Sequence, residues 1–266
     1  MRISAYFKHL QSNMISTPRH DSLLNLLQMN VEVTVRELAE RLGISESTVR
    51  RDLSHLLESG RVWRTHGGAM LRSDSLPEVS FQEKLVTEVS AKRRIAKAVT
   101  ADIPSDCTLF IDSGSTCLEA ARELLRRGDC CIFTNSLPIL VEGCLSRSTV
   151  IALGGEVRGV SRALIGSGTL SGLESLRVDI ALIGASGLHA DDGVYTTEPM
   201  EASIKNHAIQ RAGEAWLLAD HSKWQQAAAL RFAEWSAFQR WFVDSDTGIK
   251  FPVGLRPPKL RIPDFP

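Results

Sequence analysis

Two stretches of the 266-residue chain carry residue types whose spacing suits a definite chemistry. The first is ESTVRRDLSHLLES, which follows Ser45. Wound as a helix, at about 100° per residue, it puts Val49, Leu53, Leu56 and Leu57 on one side. Ser47, Arg51 and His55 fall opposite, with Thr48, Arg50 and Ser54 at the flanks. Such a face suits the DNA major groove: arginine pairs bidentately with guanine, and hydroxyls reach phosphates or base edges. The amides at the helix start are open to a phosphate. A basic strand-turn-strand follows, with Arg61, Arg64 and His66. The residues expected to meet DNA are Ser45, Ser47, Thr48, Arg50, Arg51, His55, Arg64 and His66. A lone arginine pair on a helix is more often a solvated face, so the reading depends on the elements around it.

The second stretch is FIDSGST. Gly114 permits a tight turn, and Ser113, Ser115 and Thr116 supply hydroxyls. A helix after the loop would aim its amides at it, which makes a phosphate cradle. Asp112 is placed to accept a sugar hydroxyl or to hold the loop. Thr134-Asn135, Gly154-Gly155 and Gly184 fall in other loops, where glycine either admits a ligand or turns the chain. Glu201 and Lys205 are four apart and share a helix face; the plain alternative is a surface ion pair. Asp220 and Lys223 follow another strand, where a capping aspartate and a solvated lysine would suffice.

The elements around the first stretch decide for DNA. Leu23, Leu24, Leu26 and Leu27 mark a first helix, ending near Asn30. Thr34 and Glu37 form a capping box that opens a second, with Leu38, Ala39 and Leu42 on its buried face. Gly43 ends it, Ser45 caps the third, and Gly60 closes that one. Three helices with a glycine turn make a helix-turn-helix, and the basic strand-turn-strand is its wing. Beyond it, a helix over 88–101 precedes CTLFI, CCIF, TVIAL, DIALI and AWLLA. These alternate with helices, and each ends in a small or polar loop, the pattern of a parallel α/β sheet. The fold class is therefore an α/β main domain with a small N-terminal winged helix-turn-helix. The expected boundaries are a disordered extension over 1–18, the DNA-binding domain over 19–72 and a linker over 73–87. The effector-sensing domain then covers 88–244 and a Pro-rich tail 245–266. Met14 offers an alternative start.

Composition bounds the rest. Hydrophobic residues make up 43% of the chain, enough for a core. No apolar run reaches the roughly 18 residues of a membrane span, and no secretory signal stands at the start, so the expected location is the cytoplasm. The five cysteines are odd in number without CxxC spacing; reduced thiols are expected, and neither metal nor cofactor. The formal net charge of zero, taken alone, argues against nucleic acid. It hides an asymmetry: residues 1–72 hold ten basic and seven acidic side chains, an excess of +3 that the remainder cancels.

The run VTVRELAERLGISESTVRRDLSHLLESGRVWRTHGGA resembles the N-terminal signature of DeoR-type bacterial transcriptional regulators. Those place SxxTxRRDLxxL on the recognition helix and HGG after the wing. The resemblance continues to about Asp244 through DSGST, TN, GGEVR, DIALIGASGL, GVYTTEPMEASIK and LLADHSK. It implies a sensor domain similar to ribose-5-phosphate isomerase, which binds a phosphorylated sugar and so releases DNA. It also implies that Asp112, Ser113, Gly114, Ser115 and Thr116 hold phosphate or sugar hydroxyls. Asn135, Gly155, Glu201, Lys205 and Lys223 would line or support the pocket. The expected function is a sequence-specific repressor of a carbohydrate-catabolism operon, working as a dimer or tetramer and not as an enzyme. The alternative is an active sugar-phosphate isomerase fused to the head, with Glu201 and Lys205 as its acid and base. No second carboxylate is evident beside that pair.

Two features depart from the family pattern. Residues 245–266 hold five of the ten prolines, so no regular structure is expected there and the last sheet element would be missing or replaced. The stretch 225–242 is rich in alanine and aromatics, and with Trp224 it holds Phe232, Trp235, Phe238, Trp241 and Phe242. It reads as core or interface rather than as a base-stacking surface.

Overall fold

The computed structural model describes residues 17–28, 33–58, 62–64, 68–71, 78–226, 228–246, 248–252 and 257–263. The chain divides into two units, Met1–Pro77 and Glu78–Pro266. In the first, helix α1 spans Thr17–Gln28, strand β1 Val33–Thr34, helix α2 Val35–Leu42 and helix α3 Glu46–Glu58. Strands β2 (Val62–Arg64) and β3 (Gly68–Leu71) complete an antiparallel sheet in the order β1-β3-β2. The local reasons are those legible in the chain. Thr34 Oγ1 accepts from the Glu37 amide while Glu37 reaches back to the Thr34 amide. Gly43 ends α2 with φ 64°, a left-handed turn that lacks a Cβ penalty. Ser45 Oγ accepts from the Thr48 amide at the start of α3. Leu23, Leu27, Leu38, Val49, Leu56 and Val62 meet in one small core. Burying each is worth roughly 1.5–3 kcal/mol.

The second unit opens with helices α4 (Phe81–Val86) and α5 (Val89–Asp102). Strands β4 (Thr108–Ile111) and β5 (Cys131–Thr134) flank helix α6 (Ser115–Arg127), and helix α7 (Leu137–Gly143) leads to β6 (Thr149–Ala152). A hairpin, β7 (Glu156–Arg158) with β8 (Ala163–Ile165), precedes helix α8 (Ser167–Glu174) and strand β9 (Val178–Gly184). Next come β10 (Gly187–His189), β11 (Gly193–Thr196), helix α9 (Pro199–Gln210) and β12 (Ala212–Leu218). Strands β13 (Leu230–Ala233), β14 (Arg240–Phe242) and β15 (Lys259–Arg261) finish the unit. Seven strands form a parallel sheet in the order β15-β14-β12-β9-β4-β5-β6. Strand residues alternate between two cores: Leu109 and Ile111 enter one, Phe110 the other. From β4 the chain moves outward to β5 and β6, then returns to β9 on the other side of β4. That reversal places a crevice at the carboxyl ends of β4 and β9.

Two expectations fail. The expected linker over 73–87 includes helix α4, because Ser80 and Glu83 form a capping box and Phe81 is buried in the main core. The proline-rich tail contributes β15, paired in parallel with β14. Pro257 and Pro258 stand before the strand and Pro263 after it, which leaves three residues free to pair at the sheet edge. The extension falls outside the described residues up to 16, and α1 begins at Thr17. The aromatic stretch is core: Trp224, Trp235 and Trp241 lie with ring centroids 5.4–6.0 Å apart, and Phe251 from the tail packs on all three.

Candidate nucleic-acid interface and ligand pocket

Helix α3 buries Val49, Asp52, Leu53 and Leu56 and exposes Ser47, Arg50, Arg51, Ser54 and His55. Ser45 is exposed too, and its hydroxyl meets those of Ser47 and Thr48 at 2.9 Å. Arg50 pairs with Glu46 at 2.9 Å, an exposed helical pair that exchange with a phosphate would cost little. Arg51 has no ion-pair partner among the described residues and faces solvent. Arg64 lies on β2, and nothing is described of its side chain; His66 lies outside the described residues. One buried group went unread in the sequence. Asp52 accepts from Arg19 through both oxygens, at 2.5 and 2.7 Å, and so fixes α3 to α1. Burial opposes the Asp52 charge, but Arg19 prevails and holds the carboxyl below its ordinary range.

In the second unit the crevice between β4 and β9 gathers most of the remaining candidates. Asp112, at the end of β4, is buried; its Oδ2 accepts from the Gly184 amide at 3.0 Å and from the Lys205 ammonium. Lys205 also donates to the Gly184 carbonyl at 3.2 Å. Burial opposes the Lys205 charge, yet Asp112 and Glu201 together hold its pKa above the usual value. Glu201, one turn earlier on α9, is pushed upward by burial, with Lys205 opposing. Its Oε1 lies 3.5 Å from Arg158 on β7, and Arg158 grips both oxygens of Glu78. A chain of alternating charge thus runs Glu78, Arg158, Glu201, Lys205, Asp112. Asp112 is the second carboxylate that sequence reasoning did not find beside Glu201 and Lys205.

The loop 112–116 leads directly into α6, whose first residue is Ser115. Gly114 caps that helix without a side-chain bond, and a Cβ there would meet nothing within 4 Å. A Cβ at Gly114 would thus find room, and no side chain caps the first amides of α6, which suits a phosphate there. Asn135 holds the loop: its Oδ1 accepts from the Ser113 amide at 3.1 Å and its amide donates to Leu164 O at 3.3 Å. Gly155 has φ 112°, and a Cβ would lie 2.2 Å from Thr169 Oγ1, so the residue serves close packing. Lys223 is half-exposed, 3.4 Å from Gln226 Oε1. Asp220 caps the turn His221–Lys223 through the Ser222 amide at 3.1 Å. Sequence reasoning missed Arg158 and Glu78, which lie 80 residues apart and carry no local signal. It also missed Lys84 on α4 and Lys92, whose buried ammonium donates to the carbonyls of Lys84 and Thr87. The Ser80-Glu83 capping box was the signal for α4.

The opposite, amino end of the sheet suits an anion poorly. A cavity of about 490 Å³ there is lined by Asp102, Asp106, Asp179 and Glu214 with Arg240. Among the described residues no group of three or more His, Cys, Asp or Glu is arranged to hold a metal ion. No described helix is long and apolar enough to cross a membrane.

The DeoR-like helix-turn-helix domain matches residues 19–75, and the DeoR C terminal sensor domain matches 87–245. The chain belongs to the DeoR family. It is a DNA-binding transcriptional regulator of that family. The glycerol-3-phosphate regulon repressor of Escherichia coli (strain K12) is 31% identical over 233 residues, 87% of this chain and 92% of that one. The repressor CsqR of the same organism is 31% identical over 234 residues, 88% and 89% of the two chains. The lactose phosphotransferase system repressor of Lactococcus lactis is 33% identical over 212 residues, 78% and 83%. Among solved structures, ribose 5-phosphate isomerase A from Methanocaldococcus jannaschii shares 17% identity with a TM-score of 0.40. The match covers 52% of this chain and 55% of that one, too distant a likeness to carry weight.

Proposed function

We propose that this DeoR-family regulator is a repressor of a carbohydrate-catabolism operon, released from its operator by a phosphorylated sugar. Helix α3 reads the operator, with Arg51 and Arg50 on base edges or phosphates and Ser45, Ser47, Thr48 and His55 beside them. Arg64 and His66 follow the backbone from the wing. One short recognition helix gives limited specificity, so two or four chains act together on repeated half-sites. The sugar sits at the carboxyl ends of β4 and β9. Its phosphate meets the start of α6 and the hydroxyls of Ser113, Ser115 and Thr116. Its hydroxyls meet the Asp112–Lys205–Glu201 group, supported by Asn135 and Gly155, with Lys223 at the rim. The observation that carries this reading is the start of α6, which no side chain caps, in the same crevice as those buried charges. The chain acts as a cytoplasmic, non-enzymatic switch. Lys205 is tied to Asp112 and Gly184 O rather than poised over a substrate, which speaks against proton transfer.

The head is tested with Arg51→Ala in a gel-shift titration on an operator selected from random DNA. Loss of one guanidinium–base pair is expected to weaken binding by about 1–3 kcal/mol. Unchanged affinity would remove Arg51 from the interface. The pocket is tested by thermal shift against a panel of phosphorylated sugars, since a ligand of the folded state raises its stability. The enzymatic alternative is tested by incubation with pentose and hexose phosphates; isomer exchange would support it.

A further inference from the structure

The β7–β8 hairpin stands outside the seven-stranded sheet and is bonded on two sides. On one side it meets the ligand crevice. The Leu164 amide donates to the Asn135 carbonyl at 2.7 Å, and the Asn135 side chain, which holds the Ser113 loop, donates to Leu164 O at 3.3 Å. On the other side it meets the start of the second unit. The Phe81 amide donates to Val160 O at 2.9 Å, and the Arg162 guanidinium lies 5.8 Å from the centre of the Phe81 ring. Arg158 belongs to both sides. Its guanidinium forks onto the two Glu78 oxygens, with the Nη1 bond at 2.9 Å. The same nitrogen lies 3.2 Å from Ser161 Oγ and 3.5 Å from Glu201 Oε1. Side-chain exposure is 20% for Arg158, 17% for Glu78 and 9% for Glu201, so none of the three is well solvated. Glu78 follows directly on Pro77, the last residue of the first unit. One arginine thus holds a pocket carboxylate and the carboxylate at which the chain enters the second unit. The Glu201 contact is the looser of the two, longer than the ordinary N–H···O distance of about 2.9–3.0 Å. A hydroxyl donates and accepts at once. A sugar hydroxyl set between Glu201 Oε1 and Arg158 would donate to the first and accept from the second. Arg158 would meet it at the expense of Glu78, whose partly buried charge then loses its partner.

We propose that Arg158 is a positioning residue that trades Glu78 for a ligand hydroxyl at Glu201, and that the freed Glu78 lets the chain leading to the DNA-binding unit leave its operator-competent setting. This rests on the phosphorylated-sugar reading of the pocket and states how occupancy is passed on. The full chain is titrated calorimetrically with glycerol 3-phosphate, ribose 5-phosphate and glucose 6-phosphate. Operator affinity is then measured by fluorescence anisotropy with and without the tightest of these, on DNA selected by the wild type. Wild type and Glu78→Gln are compared, with ligand-free melts as the check on folding. The wild type is expected to lose about 5- to 150-fold in operator affinity on binding the sugar phosphate. Ligand-free Glu78→Gln is expected to bind the operator about as weakly as the liganded wild type, and to respond less than about 2-fold to the ligand. By reciprocity the same variant should bind the sugar phosphate at least as tightly as the wild type does. Should Glu78→Gln not melt cooperatively, Glu78→Asp, which keeps the charge but shortens its reach, carries the comparison. A variant with the full wild-type response overturns the Arg158 assignment alone. Operator affinity lowered equally with and without ligand marks a plain structural role and overturns it too. A wild type that binds none of the three probes, or binds one with no change in operator affinity, contradicts the phosphorylated-sugar reading, and the Arg158 proposal falls with it.

Discussion

Burial opposes the Lys205 charge, and Asp112, with Glu201 beside it, keeps the ammonium protonated. Removing one partner of a buried ion pair leaves the other uncompensated, which costs more than the pair itself contributes. Asp112→Ala is therefore expected to destabilise the second unit by about 3–5 kcal/mol in urea denaturation. Asp112→Ala with Lys205→Met should cost less than the two single changes together. Glu201 gives a pH signature. Its pKa is raised in the folded state, so the stability linked to it is full below the unfolded value of about 4.3. That stability is lost as pH rises through the folded value. Glu201→Gln should flatten the decline above about pH 4.3; an unchanged slope in paired denaturation curves would show that the carboxyl is not held in this way. The four-residue spacing of Glu201 and Lys205 was legible in the chain. Their partner Asp112 stands 93 residues before Lys205 and became visible only with the fold.

At the scale of elements, local chemistry was legible and edge structure was not. The Thr34 box, the Gly43 stop and the Ser45 cap are all decided within a few residues, and each forms as read. Helix α4 obeys the same rule, but polar neighbours and a proline gave its segment the look of a linker. Strand β15 depends on β14 lying alongside, a contact that no property of a three-residue run announces. Its Arg261 also bonds Asp102 on α5 at 2.7 Å, and Phe251 closes the tryptophan cluster. Truncation after Asp244 removes the strand, the ion pair and the ring together. It is expected to cost the second unit more than about 3 kcal/mol, read as an earlier urea midpoint. An unchanged midpoint would show the tail to be dispensable.

For the whole molecule, the zero net charge conceals a division of labour. The basic excess accompanies a helix that exposes two arginines, while the α/β unit holds several of its charges in internal pairs. Strand alternation made the parallel sheet legible. The strand order, and with it the meeting of β4 and β9, was not, because the return from β6 to β9 depends on packing across the sheet. A ligand at that crevice can alter DNA binding only through its different affinity for the two states of the chain. The most direct measurement is operator affinity, by fluorescence anisotropy, with and without saturating amounts of the phosphorylated sugar found by thermal shift. The expected result is a fall of about 5- to 150-fold, the range of a 1–3 kcal/mol coupling. Equal affinity at saturation would contradict the account, because the pocket would then have no hold on the DNA-reading helix.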